Sequence, residues 1–256
     1  MKKGIIGGLP AQQWDVPRTC SLLPGLLLAV MLTVSLRVCA QTMIGTVGQM
    51  NIPTADMRDA GTFDAGISFI HKELQPARYD YSTGLYYIDL TPFSFMEITY
   101  RETLLKAKNA EGRMTYHRQD RSTTLRLRPL RETADGWWPG IVIGVNDIYS
   151  DHGGSPYTSA YLVVTRHLRL SSAFIMAASL GYAIPWDHAD CYKGLFGGVS
   201  LSPVLLPEFR LMAEHDTRGV NFGVSARLFG HLNLSAFSRE LEGFCATLSY
   251  QYTIPY

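Results

Sequence analysis

Charge of one sign is missing from this 256-residue chain: 23 Lys and Arg nearly cancel 22 Asp and Glu. With no basic excess to hold a phosphate backbone, nucleic acid is not an expected partner. Charge of either sign is sparse, 18% against 46% hydrophobic residues, and that balance argues against disorder. Apolar runs of about 20 residues are lacking outside one N-terminal stretch, which excludes a helical multi-span membrane protein. Helical periodicity is lacking too. What the chain does have is 23 glycines, 11% aromatic residues and a long alternation of apolar with polar or small side chains.

The N-terminal stretch reads as an address. Lys2 and Lys3 precede an apolar run from Leu22 to Val34, and Val38 and Ala40 supply the small-residue cleavage pattern of a secretory signal. A retained anchor fits less well, because the run is short and holds Pro24 and Gly25; lipidation at Cys39 is opposed by the bulk of Val38. Residues 1–40 are therefore predicted to be a cleaved signal peptide, with a mature start at Gln41. Cleavage removes Lys2, Lys3, Arg18 and Arg37 against Asp15, leaving 19 bases and 21 acids, a net charge of −2. It also removes Cys20 and Cys39. Only Cys191 and Cys245 then face an oxidising compartment, so at most one disulfide can form, with two free buried thiols as the alternative.

Beyond residue 60 the period is two. Phe174, Met176, Leu180, Tyr182 and Ile184 share one face while Ala173, Ala177, Ser179, Gly181 and Ala183 share the other. The same reading along the chain predicts about twelve strands, near 61–70, 84–91, 95–104, 120–130, 139–148, 158–167, 171–183, 195–202, 208–216, 219–228, 232–239 and 243–254. Their connections alternate in length. Long ones fall near 71–83, 105–119, 149–157 and 184–194, short ones at 92–94, 168–170, 203–207 and 229–231. The connection 131–138 breaks the rule, and 217–218 and 240–242 are short outer loops.

An even strand count with long loops on one side is the layout of a membrane barrel, in which the apolar set faces lipid and the polar set faces inward. A soluble sandwich or lipocalin-like barrel would bury the apolar set instead. The polar set is too charged for a dry core. Glu97, Arg101, Arg126, Arg128, Glu208, Arg210, Glu214 and Arg227 all fall opposite the large apolar residues, where unpaired charges would cost several kcal/mol each. The expected fold is all-β, a single antiparallel up-and-down transmembrane β-barrel spanning 61–256. The last strand alternates Phe244, Ala246, Leu248, Tyr250, Tyr252, Ile254 and Tyr256, which resembles the terminal signal read by the outer-membrane barrel-assembly machinery. The eight charged residues are the candidates to line the lumen, either closed on their own ion pairs or bordering a path for a hydrated polymer.

Residues 44–61 read IGTVGQMNIPTADMRDAG, and Gly48, Asn51, Ile52, Pro53, Thr54, Ala55, Met57 and Gly61 carry a resemblance to the YjbH-like exopolysaccharide and capsule biosynthesis family. Stretches 90–101 and 207–229 resemble it as well. The resemblance implies an outer-membrane β-barrel serving surface polysaccharide production or export, with no catalytic residues to carry over. The segment's own chemistry, two glycines followed by Pro53 and Thr-Ala-Asp, predicts a non-strand lead-in over 41–60 at the periplasmic side, tucked into the barrel mouth or setting register.

Enzymatic constellations are weak. Glu214 and His215 are adjacent in a strand and point to opposite faces, so they cannot converge on one substrate. Asp187, His188, Asp190 and Cys191 form a polar loop, and Asp151-His152-Gly153-Gly154 reads as a turn. No metal and no cofactor are expected. Trp137, Trp138, Tyr86, Tyr87, Tyr250 and Tyr252 read as interfacial girdle residues, and Trp186 and Tyr192 as loop anchors that could stack on sugar rings. The expectation is a non-enzymatic barrel of the bacterial outer membrane taking part in exopolysaccharide or capsule export or assembly. Its expected partners are outer-membrane lipid, the assembly machinery, an anionic or neutral polysaccharide and periplasmic export components. The alternative is a small general porin or structural barrel.

Overall fold

Alternation of side chains across a pleated strand is what the chain uses to separate lipid from lumen. The computed structural model describes residues 40–76, 79–133, 136–150, 155–186, 189 and 191–255. The expected signal peptide through Cys39, the turn expected at 151–154, and Asp187, His188, Asp190 and Tyr256 lie outside the described residues. Twelve strands follow one another: β1 (Thr62–Ile70), β2 (Thr83–Phe93), β3 (Met96–Lys108), β4 (Met114–Leu130), β5 (Gly140–Ser150), β6 (Ser159–Arg169), β7 (Phe174–Pro185), β8 (Gly194–Pro203), β9 (Phe209–His215), β10 (Val220–Leu228), β11 (Leu232–Arg239) and β12 (Gly243–Thr253). Each pairs antiparallel with its sequence neighbours, and β1 also pairs with β12 from Thr62 opposite Thr253 to Ile70 opposite Cys245. The sheet is thereby closed and has no free edge. Apart from a 3-10 turn at Lys72–Leu74, the described residues hold no helix.

The outward faces carry large apolar side chains all round: Ile67, Ile88, Leu162, Leu180, Leu195, Phe222 and Leu248 are exposed. A surface this continuously apolar fits hydrocarbon rather than water. Inward, β7 shows Ala177, Ser179 and Ala183, all buried. Small inward positions make room for rings from the adjoining strand. A Cβ at Gly144 would lie 2.1 Å from Tyr161, and one at Gly181 would lie 2.2 Å from Phe196.

Two expectations change. The connection read at 105–119 is largely strand: β3 runs to Lys108 and β4 starts at Met114, so only 109–113 turn the chain. Beyond a register shift at Leu105/Lys106 this hairpin rises clear of the barrel; Met114–Arg118 are exposed, and Lys106 lies over the rings of Tyr81 and Tyr116 at 5.2 and 4.8 Å. The disulfide weighed for Cys191 and Cys245 is not formed, and both are free buried thiols. Cys245 sits in β12 between Phe237 and Ile70, whereas Cys191 lies before β8 against Arg218, four strands away around the barrel. Burial pushes the Cys191 thiol up to about 11 despite the Arg218 guanidinium beside it.

The barrel and the residues inside it belong to one compact unit, 38–256. Its core is not supplied by the wall alone. Residues 40–55 are all buried within the lumen, and Met43, Ile44, Met50, Ile52 and Met57 join Tyr87, Tyr161, Phe196 and Phe237 in the apolar core.

Candidate functional site in the barrel lumen

Residues 40–60 contain no strand. Two isolated bridges, Gln41 with Val47 and Gly48 with Pro53, fold the segment on itself. At Gly48 the backbones come so close that a Cβ would lie 2.4 Å from the Ile52 carbonyl oxygen, which only glycine avoids. The turn this creates presents consecutive N–H groups at Met50, Asn51 and Ile52 to one wall carboxylate. They donate to Glu214 at 3.1, 2.7 and 3.3 Å, and Asn221 Nδ2 adds a fourth bond at 2.9 Å. Hydrogen bonds of this kind, with an ionised acceptor, are about twice as strong as neutral ones.

Neighbouring groups at the long-loop end complete the grip. The Asn51 side chain donates to Asp216, and the Tyr192 hydroxyl donates to the Asn51 carbonyl. Arg239 also pairs with Asp216. Burial alone would raise the Asp216 carboxyl, but Arg239 and the amides of Asn221 and Asn51 hold it below its ordinary value.

On the opposite wall Glu97 accepts the Val47 N–H at 2.9 Å and pairs with Arg126 at 2.6 Å. Arg126 in turn donates to the carbonyls of Thr54 and Asp56. A second pair, Arg101 with Asp147 at 2.7 Å, does not touch the segment. It is closed by Ser155 and by the Tyr157 ring 4.8 Å from the guanidinium.

Toward the short-turn end Arg58 bridges Asp64 of β1, at 3.1 Å, and Asp89 of β2. Arg227 donates to Asn233 at 2.8 Å and to Gln251 at 2.9 Å, which is also within reach of Arg58 at 3.3 Å. At the rim His167 lies 2.6 Å from Glu132 and 3.7 Å from Asp56.

Of the eight residues expected in the lumen, Glu97, Arg101, Arg126, Glu214 and Arg227 are buried there. Arg210 is half-buried on the same face as Met212 and Glu214. Arg128 and Glu208 are not brought to the site. The register shift between Leu127 and Leu130 turns Arg128 toward the Ser94 carbonyl in the β2–β3 turn, and Glu208 precedes β9 in the β8–β9 turn. The signature residues fare differently: Asn51, Ile52, Thr54 and Ala55 bond to the luminal wall, with Ala55 N–H donating to Thr165 at 2.7 Å, and Gly61 is tied to Thr91 and Ile254 at the start of β1.

Two aromatic expectations are corrected. Tyr87 is not a girdle residue; it points inward, 2% exposed, and donates to Gln41 at 2.8 Å. Tyr192 likewise turns inward onto Asn51 because its backbone is left-handed (φ 54°). Trp186, Tyr86, Tyr250, Tyr252, Trp137 and Trp138 are exposed. Glu214 is buried while His215 is exposed, so the two point apart. Among the described residues no group of three or more His, Cys, Asp or Glu could hold a metal ion.

A closed barrel with an apolar exterior and a polar, filled interior defines the class: a transmembrane β-barrel. Residues 40–185 match the family described as YjbH, exopolysaccharide biosynthesis protein YbjH. That is more than half of the chain, and the protein belongs to this family. No curated protein matches it. Among solved structures the KdgM porin is similar, with a TM-score of 0.45 and 7% identity over 76% of this chain and 99% of that one.

Proposed function

We propose that the protein is a non-enzymatic barrel of the bacterial outer membrane that takes part in export or assembly of surface exopolysaccharide or capsule. The observation that carries this reading is the extent of the family match, which begins at residue 40 and runs through β7, taking in both the luminal segment and the wall that holds it. Support for a non-enzymatic role comes from how the luminal groups are used. Glu97, Arg101 and Arg126 are committed to ion pairs, and Glu214 to four donors. Such groups position chain rather than transfer protons.

The proposal includes a cleaved signal peptide, insertion by the barrel-assembly machinery, and periplasmic export components on the short-turn side. Its passenger is an anionic or neutral polysaccharide. The test is the amount of surface-attached and released polysaccharide in a strain lacking the gene, with and without the gene on a plasmid. A complementable loss is expected. An unchanged amount would overturn the export reading and favour a general porin or structural barrel, which conductance of the purified protein would then address.

A further inference from the structure

The luminal segment is held in a way that suits removal. Among the described residues its backbone forms no ladder with any strand of the wall. Its own bonds fold it instead, Thr42 N–H to Thr46, Met43 to Met50, Gly48 to Ala40 and Gln49 to Ile52, at 2.8–3.1 Å. Its donors at Val47, Met50, Asn51, Ile52 and Ala55 meet wall side chains only, and once the segment leaves the lumen water can take the place of those partners. The barrel closes from β1 to β12 without it, so the wall keeps its full hydrogen-bonded ring when the segment moves. Its link to β1 passes through Asp59 and Ala60, which are exposed or half-buried at the short-turn mouth, and then through Gly61 in a left-handed conformation (φ 76°). Gly61 is itself tied to the wall, its N–H donating to Thr91 and its carbonyl accepting from Ile254, so the joint lies at Asp59 and Ala60.

We propose that residues 40–58 are a displaceable plug, latched at its tip by Glu214 and hinged at 59–60, and that the lumen it vacates prefers cations. The latch is Glu214 because one carboxylate holds three consecutive N–H groups at the end farthest from the hinge. The preference follows from what leaves. Arg58 is the shared cation of Asp64 and Asp89, and its departure leaves both carboxylates, together with Glu214, facing water. Arg126 keeps Glu97, Arg101 keeps Asp147 and Arg239 keeps Asp216, so Arg210 and Arg227 are the inward cations set against Asp64, Asp89, Asp120 and Glu214, and the acids outnumber them. This device is independent of what the barrel carries.

The test is single-channel recording of the purified full-length protein in planar bilayers across a salt gradient. Wild type is expected to open rarely, and Glu214→Gln, which places an amide among the three donors, should raise open probability about tenfold or more. Deleting 42–58 should give a steady opening with a cation-selective reversal potential, reduced by Asp89→Asn. Because the deletion could disturb folding, a lock provides an independent arm. A Cβ at Gly140 would lie 3.3 Å from that of Ala55, close to the separation a disulfide spans. A55C/G140C in a C191A/C245A background, combined with E214Q, should be silent when oxidised and should open on reduction. A steady conductance in wild type, openings that persist in the oxidised lock, or silence of both E214Q and the deletion would overturn the plug. An anion-selective opening would overturn the charge argument.

Discussion

Two buried arginines of β3 and β4 stand on one wall and do different work. Arg101 pairs with Asp147, and the remaining contacts of that pair, Ser155 and Tyr157, come from the barrel's own long loop. Arg126 pairs with Glu97, and both then reach the segment through Val47, Thr54 and Asp56. The first cluster ties wall to wall; the second ties wall to plug. Inward charge in this barrel is therefore not one population. Damage to the first should unfold the barrel, and damage to the second should loosen only its contents.

The largest effect should come from Arg101→Ala. It leaves Asp147 buried without its cation, and breaking a buried pair in this way costs about 3–5 kcal/mol. Urea unfolding in lipid vesicles should shift by that amount with or without residues 42–58. If the shift disappears when the segment is deleted, the division between the clusters is wrong. Next in size is Glu214→Gln, at about 1–3 kcal/mol, because it disturbs hydrogen bonds to a charged acceptor. Here the loss should register chiefly in the segment: protease cleavage within 42–58 should rise while the barrel stays intact. Equal cleavage in E214Q and wild type would place the latch elsewhere.

The contrast also explains what could be seen from the sequence. All twelve strands were legible because lipid outside and polar groups inside impose period two wherever the wall crosses hydrocarbon. The upper β3–β4 hairpin was not, because above the membrane Lys106, Lys108 and Arg118 can occupy strand positions without an apolar face. Glu97, Arg101, Arg126, Glu214 and Arg227 followed from parity alone. Their partners did not. Asp147 follows the inward Asn146, and both are buried because the backbone at Asp147 is left-handed (φ 53°) and shifts the register, breaking the alternation that would have flagged it. Arg58 lies outside any strand and carried no periodic signal at all. The depth of the segment was likewise invisible, since its apolar residues have no period to compare with a wall. Both thiols were open to either reading, and a thiol reagent should find neither in the folded protein and two after denaturation of the mature chain.

The smallest effect separates the two clusters most cleanly, because it removes a single hydroxyl from each. Tyr157 and Tyr192 are neighbours, their ring centres 6.2 Å apart, and both are buried. Tyr157 serves the wall through its ring beneath Arg101, so Tyr157→Phe keeps the stacking and should change stability by less than about 0.5 kcal/mol. Tyr192 serves the plug through its hydroxyl on the Asn51 carbonyl, so Tyr192→Phe should cost about 1 kcal/mol of segment docking. In a protease assay that is about a fivefold rise in cleavage within 42–58, against none for Tyr157→Phe. Equal cleavage in the two variants would mean that the hydroxyl of Tyr192 does not hold the segment, and the boundary between wall and plug would have to be drawn below the long loops.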